Sequence, residues 1–332
     1  MRILVTGGAG FVASHLIDIL VGEGHSVYVL DSLFTGASEN LDPARLAAPD
    51  RLFFAQHDII DEFQSAEQMK KLFGEDVAFD QIYHMACPAS PIHYQIDPIH
   101  TMRTSVWGTY NALELAKRVG ARLLLTSTSE VYGDPEVHPQ PESYKGSVNC
   151  TGPRSCYDEG KRAAETLCFD YMRKHGVVIR IARIFNTYGP RMNIHDGRVI
   201  SNFIVQAIKG DPITVYGDGS QTRSFCFVSD LARGLHALMN NEETCGPINL
   251  GNPDEYSMLE MAERIIELVQ STSTVTFLPL PEDDPKVRKP VIDLARRHLQ
   301  WEPVVSLRDG ITESVEYFRR KVQEEQDKEK ST

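Results

Sequence analysis

The chain has 332 residues, 42% of them hydrophobic and 24% charged, which is enough apolar material for the core of one large domain or of two lobes. The formal net charge of -12 argues against nucleic acids and anionic membranes as partners and leaves room for a local basic pocket. No apolar run approaches the ~20 residues of a membrane span, Met1 leads directly into the first predicted strand with no room for a signal peptide, and the six cysteines contain no C-x-x-C pair, so a cytoplasmic protein with reduced thiols and no metal is expected.

The first predicted element is a buried parallel strand over Ile3 to Val5. Gly7-Gly8-Ala9-Gly10 follows, then a helical pattern carrying Leu16, Ile17, Ile19 and Leu20. Glycines let backbone approach a phosphate, and the helix start offers it free N–H groups and a partial positive charge. Gly8 to Ala13 fits G-x-G-x-x-A, and Gly7, Gly10 and Ala13 fit G-x-x-G-x-x-A; in both the last position must be small, because there the helix packs on the sheet. A second strand, Ser26 to Leu30, ends in Asp31, where an acid holds an adenosine ribose and repels a 2′-phosphate. A glycine turn alone is common. Strand, glycines, helix, strand and acid in that order point to NAD rather than NADP.

The loop Ser32-Leu33-Phe34-Thr35-Gly36 either lies along the adenosine or is a plain connection, and residues 42–50 read as a surface excursion. Leu52 to Ala55 predicts a strand ended by His57-Asp58, with Asp58 either at the adenine amino group or in a turn. A helix over 65–73 and a strand over Gln81 to Ala86 complete a β-α-β-α-β alternation, which predicts a doubly wound parallel sheet. Cys87 to Tyr94, stiffened by two prolines, sits at a strand's carboxyl end, where ligands bind in such sheets. A long helix over 98–118 leads to the strand Leu123-Leu124-Leu125, which delivers Thr126-Ser127-Thr128-Ser129-Glu130 to the same edge.

After an irregular stretch over 134–156, Tyr157 opens a helix that runs to about His175. Tyr157 and Lys161 are four apart and share a helix face, where an ammonium lowers a phenol's pKa and makes it a usable base. A strand over 178–183, the loop Phe185 to Arg191, a helix over 199–209, a strand over 213–216, a helix over 229–239 and a strand over 248–250 follow. Helices over 258–270 and 307–325 flank a proline-rich stretch at 279–290, and the charged residues 326–332 are expected to fray. The pattern predicts a Rossmann domain over 1–185, with return segments near 223–250, and a region over 186–325 that is mainly a substrate lobe.

The glycine turn, the hydroxyl cluster at Thr128 and the Tyr157/Lys161 pair resemble the extended short-chain dehydrogenase/reductase family of nucleotide-sugar enzymes over nearly the whole chain. Within it, Ala86 to Pro91, Thr126 to Pro135, Arg154 to Arg162 and Ala182 to Met192 are similar to the branch that decarboxylates UDP-glucuronate. The chain departs from the family at Ala13, where glycine is frequent, and in the insertion-like 42–50 region. The resemblance implies a Rossmann-type sheet with a smaller C-terminal α/β lobe, resident NAD, UDP-glucuronate as substrate, and a homodimer built on a four-helix core from 98–118 and 157–175. It implies Tyr157 as base, Lys161 as its partner on the nicotinamide ribose, and Thr128 on the sugar O4. Ser129 and Glu130 form the pair that separates branches: 4,6-dehydratases carry Asp-Glu there to protonate a leaving hydroxyl at C6, whereas a serine donates to a C6 carboxylate.

Cofactor contacts are implied at Gly7, Gly10, Phe11, Val12, Asp31, Ser32, Phe34, Thr35, Gly36, Asp58 and Ile59, and further along at Met85, Cys87, Thr104, Thr126, Tyr157, Lys161, Thr187 and Arg198. UDP-sugar contacts are implied at Pro88, Ser90, Arg103, Asn186, Arg198, Arg223 and Arg288. The implied reaction oxidises C4, loses carbon dioxide from the β-keto acid, protonates C5 and reduces C4 again to give UDP-xylose. Glu130 has two candidate jobs: a carboxylate that drives off the substrate carboxylate, or a protonated acid of raised pKa that orients the leaving group or relays a proton to C5. The rival readings are a 4-epimerase or 4,6-dehydratase of the same family and a non-catalytic NAD-binding scaffold, the last disfavoured by the intact Tyr157 and Lys161.

Overall fold

Alternation of buried residues sorts the first strands onto two faces. In the strand Arg2–Thr6 (β1), Ile3 and Val5 enter one core and Leu4 the other; in Ser26–Asp31 (β2), Val27 and Val29 oppose Tyr28 and Leu30. Apolar residues on both sides are what a parallel sheet covered by two helix layers requires. The computed structural model describes residues 1–280 and 287–330. It adds Leu52–Gln56 (β3), Gln81–His84 (β4), Arg122–Thr128 (β5), Ile179–Ile184 (β6) and Ile248–Leu250 (β7). The seven strands are parallel, in the order β7-β6-β5-β4-β1-β2-β3. The order reverses between β1 and β4, and this switch opens a crevice at the carboxyl ends.

One face is covered by the helix Phe11–Gly22 (α1), which buries Ala13, Leu16, Ile17 and Leu20 together with Leu235 and Trp301 from far along the chain. The other face takes Met69, Leu113, Ala116, Ala164 and Cys168 from the helices Ala66–Phe73, Thr109–Val119 and Ser155–His175. The long helix expected over 98–118 forms as Pro98–Arg103 and Thr109–Val119 joined by a π turn, Thr104–Gly108. A Cβ on Gly160 would lie 2.9 Å from Ser105 Cβ, so glycine lets the Tyr157/Lys161 helix close on that turn. A further core joins Ile200, Phe203, Ile204, Met261, Ile265 and Phe318, all from the C-terminal half, while Val228–Asn240 and β7 return to the main sheet.

Residues 42–50 run over the surface as expected, but Asp42–Ala47 is helical and anchors there through buried Ala44, next to buried Leu41. The last helix runs from Leu307 to Lys330 and so includes 326–330. Residues 281–286 of the proline-rich stretch, and 331–332, lie outside the described residues.

The turn after β1 generates a prediction. Gly7 has φ +71°, and a Cβ there would lie 2.6 Å from Ala86 Cα. Gly7→Ala is expected to lose roughly 1–3 kcal/mol of stability from backbone strain, with more from the clash. Gly22, at the end of α1 with nothing within 4 Å, should accept alanine with a gain of up to ~1 kcal/mol. Thermal unfolding of both variants checks the contrast.

Candidate active site

The carboxyl ends of the central strands open into one cavity of about 960 Å³, a volume suited to an extended ligand. At its first end, Gly7 N donates to Leu30 O at 2.7 Å. Asp31 braces the glycine turn from the next strand: Oδ2 accepts from Ala9 N at 3.0 Å and Oδ1 from Leu33 N at 2.8 Å. Burial lifts the Asp31 carboxyl above its usual range, opposed by those two N–H bonds. A Cβ on Gly36 would lie 3.0 Å from both Asp31 oxygens, so glycine lets the loop backbone pass close to the acid there. Glycines closed against Ala86, an acid at the end of β2 and a cavity running past both form a cradle that fits a dinucleotide.

Phe11, Val12, Ser32, Phe34, Thr35, Ile59 and Thr104 line this end as expected. Asp58 also lines it, but its Oδ2 lies 2.7 Å from His100 Nε2, and Oδ1 accepts from Ile60 N at 3.1 Å. His100, in the first turn of the helix Pro98–Arg103, thus orients the acid, which the sequence reading did not anticipate.

In the middle of the cavity stand Thr126, Thr128, Tyr157 and Lys161. Lys161 Nζ donates to Thr126 O at 2.9 Å and sits 5.9 Å from the Tyr157 ring centroid. Tyr157 is buried and its ring stacks flat on Tyr94 at 5.1 Å. Thr128 Oγ1 accepts from Glu130 N at 3.2 Å. Burial opposes ionisation of the phenol, a cost that the four-residue spacing does not show. Burial first, then Cys87, push its pKa up, while Thr128 and Arg198 favour the ionised form. The ammonium of Lys161 is engaged by a backbone carbonyl, and desolvation of the phenol dominates.

At the far end Glu130 is clamped. Arg288 Nη1 donates to Oε1, Arg154 Nη2 donates to Oε2 at 3.1 Å, and Arg288 Nη2 also reaches Gly133 O at 3.0 Å. Burial alone would raise the Glu130 pKa; Arg288, Arg154 and then Arg223 outweigh it and hold the group below the ordinary carboxylate range. Of the two candidate jobs, this favours the carboxylate. Arg288 lines the cavity with its guanidinium engaged by Glu130, as Arg198 is by Asp196. Ser129, buried beside this pair, brings no charge.

The remaining polar wall comes from both halves of the chain. Arg223 lies opposite Arg288 in the pairing of Thr222–Ser224 with Val287–Arg288, and its Nη1 donates to Thr222 O at 2.8 Å. Arg198 is held by both Asp196 carboxylate oxygens, with Nη2 at 2.8 Å from Oδ2, and Ser90 Oγ donates to Asp196 O. Met85, Cys87, Pro88, Asn186 and Thr187 line the same cavity, the Cys87 thiol 3.3 Å from Ser105 Oγ. Arg103 is exposed and does not line it. One helix step of ~100° separates it from Thr104, which does. Tyr94, Arg154 and Asp196 belong to the site and were missed. A signal existed for Arg154, three residues before Tyr157 and so on a neighbouring helix face; none existed for Tyr94.

The NAD dependent epimerase/dehydratase family model matches residues 3–251. The chain is 55% identical to UDP-glucuronic acid decarboxylase 1 of Arabidopsis thaliana over 322 residues, which is 97% of this chain and 71% of that one. It is 52% identical to UDP-glucuronic acid decarboxylase 1 of Danio rerio over 322 residues, 97% of this chain and 73% of that one. Among solved structures it is similar to the UDP-glucuronic acid 4-epimerase of Bacillus cereus in complex with UDP-glucuronic acid and NAD, with a TM-score of 0.84, 27% identity, and 96% of this chain and 99% of that one covered.

The clamp on Glu130 can be tested by removing one side. Arg288→Met should cost about 3–5 kcal/mol at neutral pH, the cost of leaving a buried charge short of its partner. Glu130 has its pKa lowered from 4.5 on folding. Its contribution to stability is therefore complete above that value and is lost as pH falls through the lower folded value. Chemical unfolding at pH 7 and at pH 4 should show the gap between wild type and variant closing in acid.

Proposed function

The chain belongs to the NAD dependent epimerase/dehydratase family, and we propose that it converts UDP-glucuronate to UDP-xylose and carbon dioxide. The observation that carries the reaction type is the pair at the end of β5: Glu130, fixed as a carboxylate by two guanidiniums, next to an uncharged Ser129. A dehydratase needs an acid at position 129 for its leaving hydroxyl, and this chain has none there.

NAD, when bound, supplies the hydride acceptor and donor at C4 of the sugar. Gly7, Gly10, Asp31, Phe34, Asp58 and Lys161, which line one side of the cavity, would hold it. Tyr157 removes the C4 hydroxyl proton, its phenolate favoured by Thr128 and Arg198 against the cost of burial. The resulting 4-keto acid carries its carboxylate β to a ketone and loses carbon dioxide. The O4 enolate is then met by O–H groups of Thr128 and Tyr157, preorganised donors of the oxyanion-hole type. Glu130, held on Arg288 and Arg154, sets a fixed negative charge beside the substrate carboxylate and favours departure of a neutral molecule. Ser129 donates to that carboxylate before it leaves. Arg198 and Arg223 serve the diphosphate, for which planar guanidinium is suited.

A homodimer and a cytoplasmic location go with this reading. Ile99, Trp107 and Tyr110 of the 98–119 helix region, with Ile96 just before it, are 74%, 57%, 43% and 65% exposed, apolar surface of the kind that marks an interface. All six cysteines are free. Among the described residues no helix is long and apolar enough to cross a membrane.

Incubation with UDP-glucuronate should yield UDP-xylose by mass, and a product that retains the carboxylate would overturn the reading. Tyr157→Phe should bind the UDP-sugar with little change and lose ~10²-fold or more in turnover, the scale of a positioned acid–base group. Light scattering should give the mass of a dimer at micromolar concentration, and Trp107→Glu should shift it toward the monomer.

A further inference from the structure

One buried acid has no part in the arrangement above. Asp158 follows Tyr157 in the helix Ser155–His175, is 7% exposed, and among the described residues its enclosed Oδ1 has no hydrogen-bond donor. A buried carboxylate oxygen without a donor favours the neutral acid over the charged form. Among the described residues, the groups that face it come from four segments. Arg154 lies one helical turn earlier, and Glu159 and Cys156 flank it on its own helix; Glu130 comes from the turn after β5, Arg288 from the segment Val287–Arg288, and Tyr94 from the loop after β4. Burial first, then Glu130, push the Asp158 carboxyl up to about 8, against the pull of Arg154 and Arg288. The same Arg154 donates to Glu130 Oε2 at 3.1 Å.

We propose that Asp158 is a positioning residue for decarboxylation: as the neutral acid it leaves Arg154 on Glu130, and on losing its proton it competes with Glu130 for that guanidinium and slows the loss of carbon dioxide. The competition follows from placement. Arg154 and Asp158 are an i, i+4 pair on one helix face, and Glu130 reaches the same arginine from the strand end. An ionised Asp158 would set two carboxylates on one side chain, and Glu130 would lose part of the clamp that fixes its charge beside the substrate. Asp158 itself does not line the cavity, so it acts through Arg154 and not on the sugar.

This inference rests on the decarboxylase reading. It is tested on the NAD-loaded protein by following carbon dioxide release and the NADH band together across neutral to alkaline pH, for wild type and Asp158→Asn, each normalised to its own rate at pH 7. Wild type should show carbon dioxide release stepping down to a lower alkaline plateau, with a midpoint of about 8. The asparagine variant, which cannot ionise, should lack that step. A step that survives in Asp158→Asn overturns the inference, as does a variant that holds NAD yet has no turnover. Should the variant fail to fold, wild type alone decides: its infrared spectrum at neutral pH should contain a protonated-carboxyl band that shifts on carbon-13 labelling of aspartate and is lost with the same midpoint. Absence of that band overturns the inference. A wild type that makes no UDP-xylose at any pH instead fails the decarboxylase reading, and the infrared titration still judges Asp158.

Discussion

A single buried charge ties the two halves of this molecule together. Glu130 lies at the end of β5, and its carboxylate is shared by Arg154, which caps the helix Ser155–His175, and by Arg288, which arrives from more than 150 residues further on. Arg288 in turn donates to Gly133 O and pairs, across two short strands, with the segment that carries Arg223. Withdrawing three charges from water costs several kcal/mol per ion, which the mutual attraction recovers only when the geometry is good. Such a cluster therefore adds little net stability over an apolar substitute, yet it is costly to break. Its effect is to fix where the C-terminal half sits against the strand ends.

The strand β5 is the other fixed reference, held on both sides over three successive residues. Thr126 gives its carbonyl to Lys161, Ser127 donates its hydroxyl to Glu165 Oε1 at 2.6 Å, and Thr128 turns its side chain into the cavity. Glu165 lies one helical turn after Lys161 and is gripped by Arg183 of β6, with Nη2 at 2.7 Å from Oε2. The helix that carries Tyr157 is thus sewn to β5 and β6 by one ammonium and one carboxylate on a single face, and Gly160 lets it close on the π turn beneath. The phenol consequently has little freedom. Its ring is stacked on Tyr94 and its oxygen points where Thr128 and the cavity meet.

What could be read in the sequence was what depends on neighbours in the chain. The glycine turn, Asp31 at the end of the next strand and the four-residue spacing of Tyr157 and Lys161 follow from short-range periodicity, and each lines the cavity. The alternation of strands and helices implied the switch point between β1 and β4 for the same reason. The partner of Arg288 could not be read, because an isolated arginine in a sequence carries no sign of it, and the partner is set by the register of Val287–Arg288 against Thr222–Ser224. Arg103 failed for a smaller reason, a rotation of one residue around a helix. The burial that opposes ionisation of the phenol was not legible, because charge pairing is visible in a spacing and burial is not; Tyr157 sits under Tyr94, a contact between segments more than sixty residues apart.

The pair formed by Glu130 and Asp158 explains why the residue between the hydroxyl cluster and the glutamate must be uncharged. Both carboxyls feel Arg154 and Arg288, and their environments drive them in opposite directions, Glu130 down and Asp158 up. Two acids separated in this way divide the available positive charge, one ionised and one neutral. An aspartate at Ser129 would add a third acid to the same neighbourhood, since Ser129 is buried and adjacent to Glu130. It would compete for the two guanidiniums, raise the cost of keeping Glu130 ionised, and repel a substrate that carries its own carboxylate. A serine avoids all three, because it offers a donor to the substrate and no charge to the cluster. On the proposed reaction, the difference between eliminating water and losing carbon dioxide thus rests on the charge balance around two arginines, with Ser129 adding no charge to it.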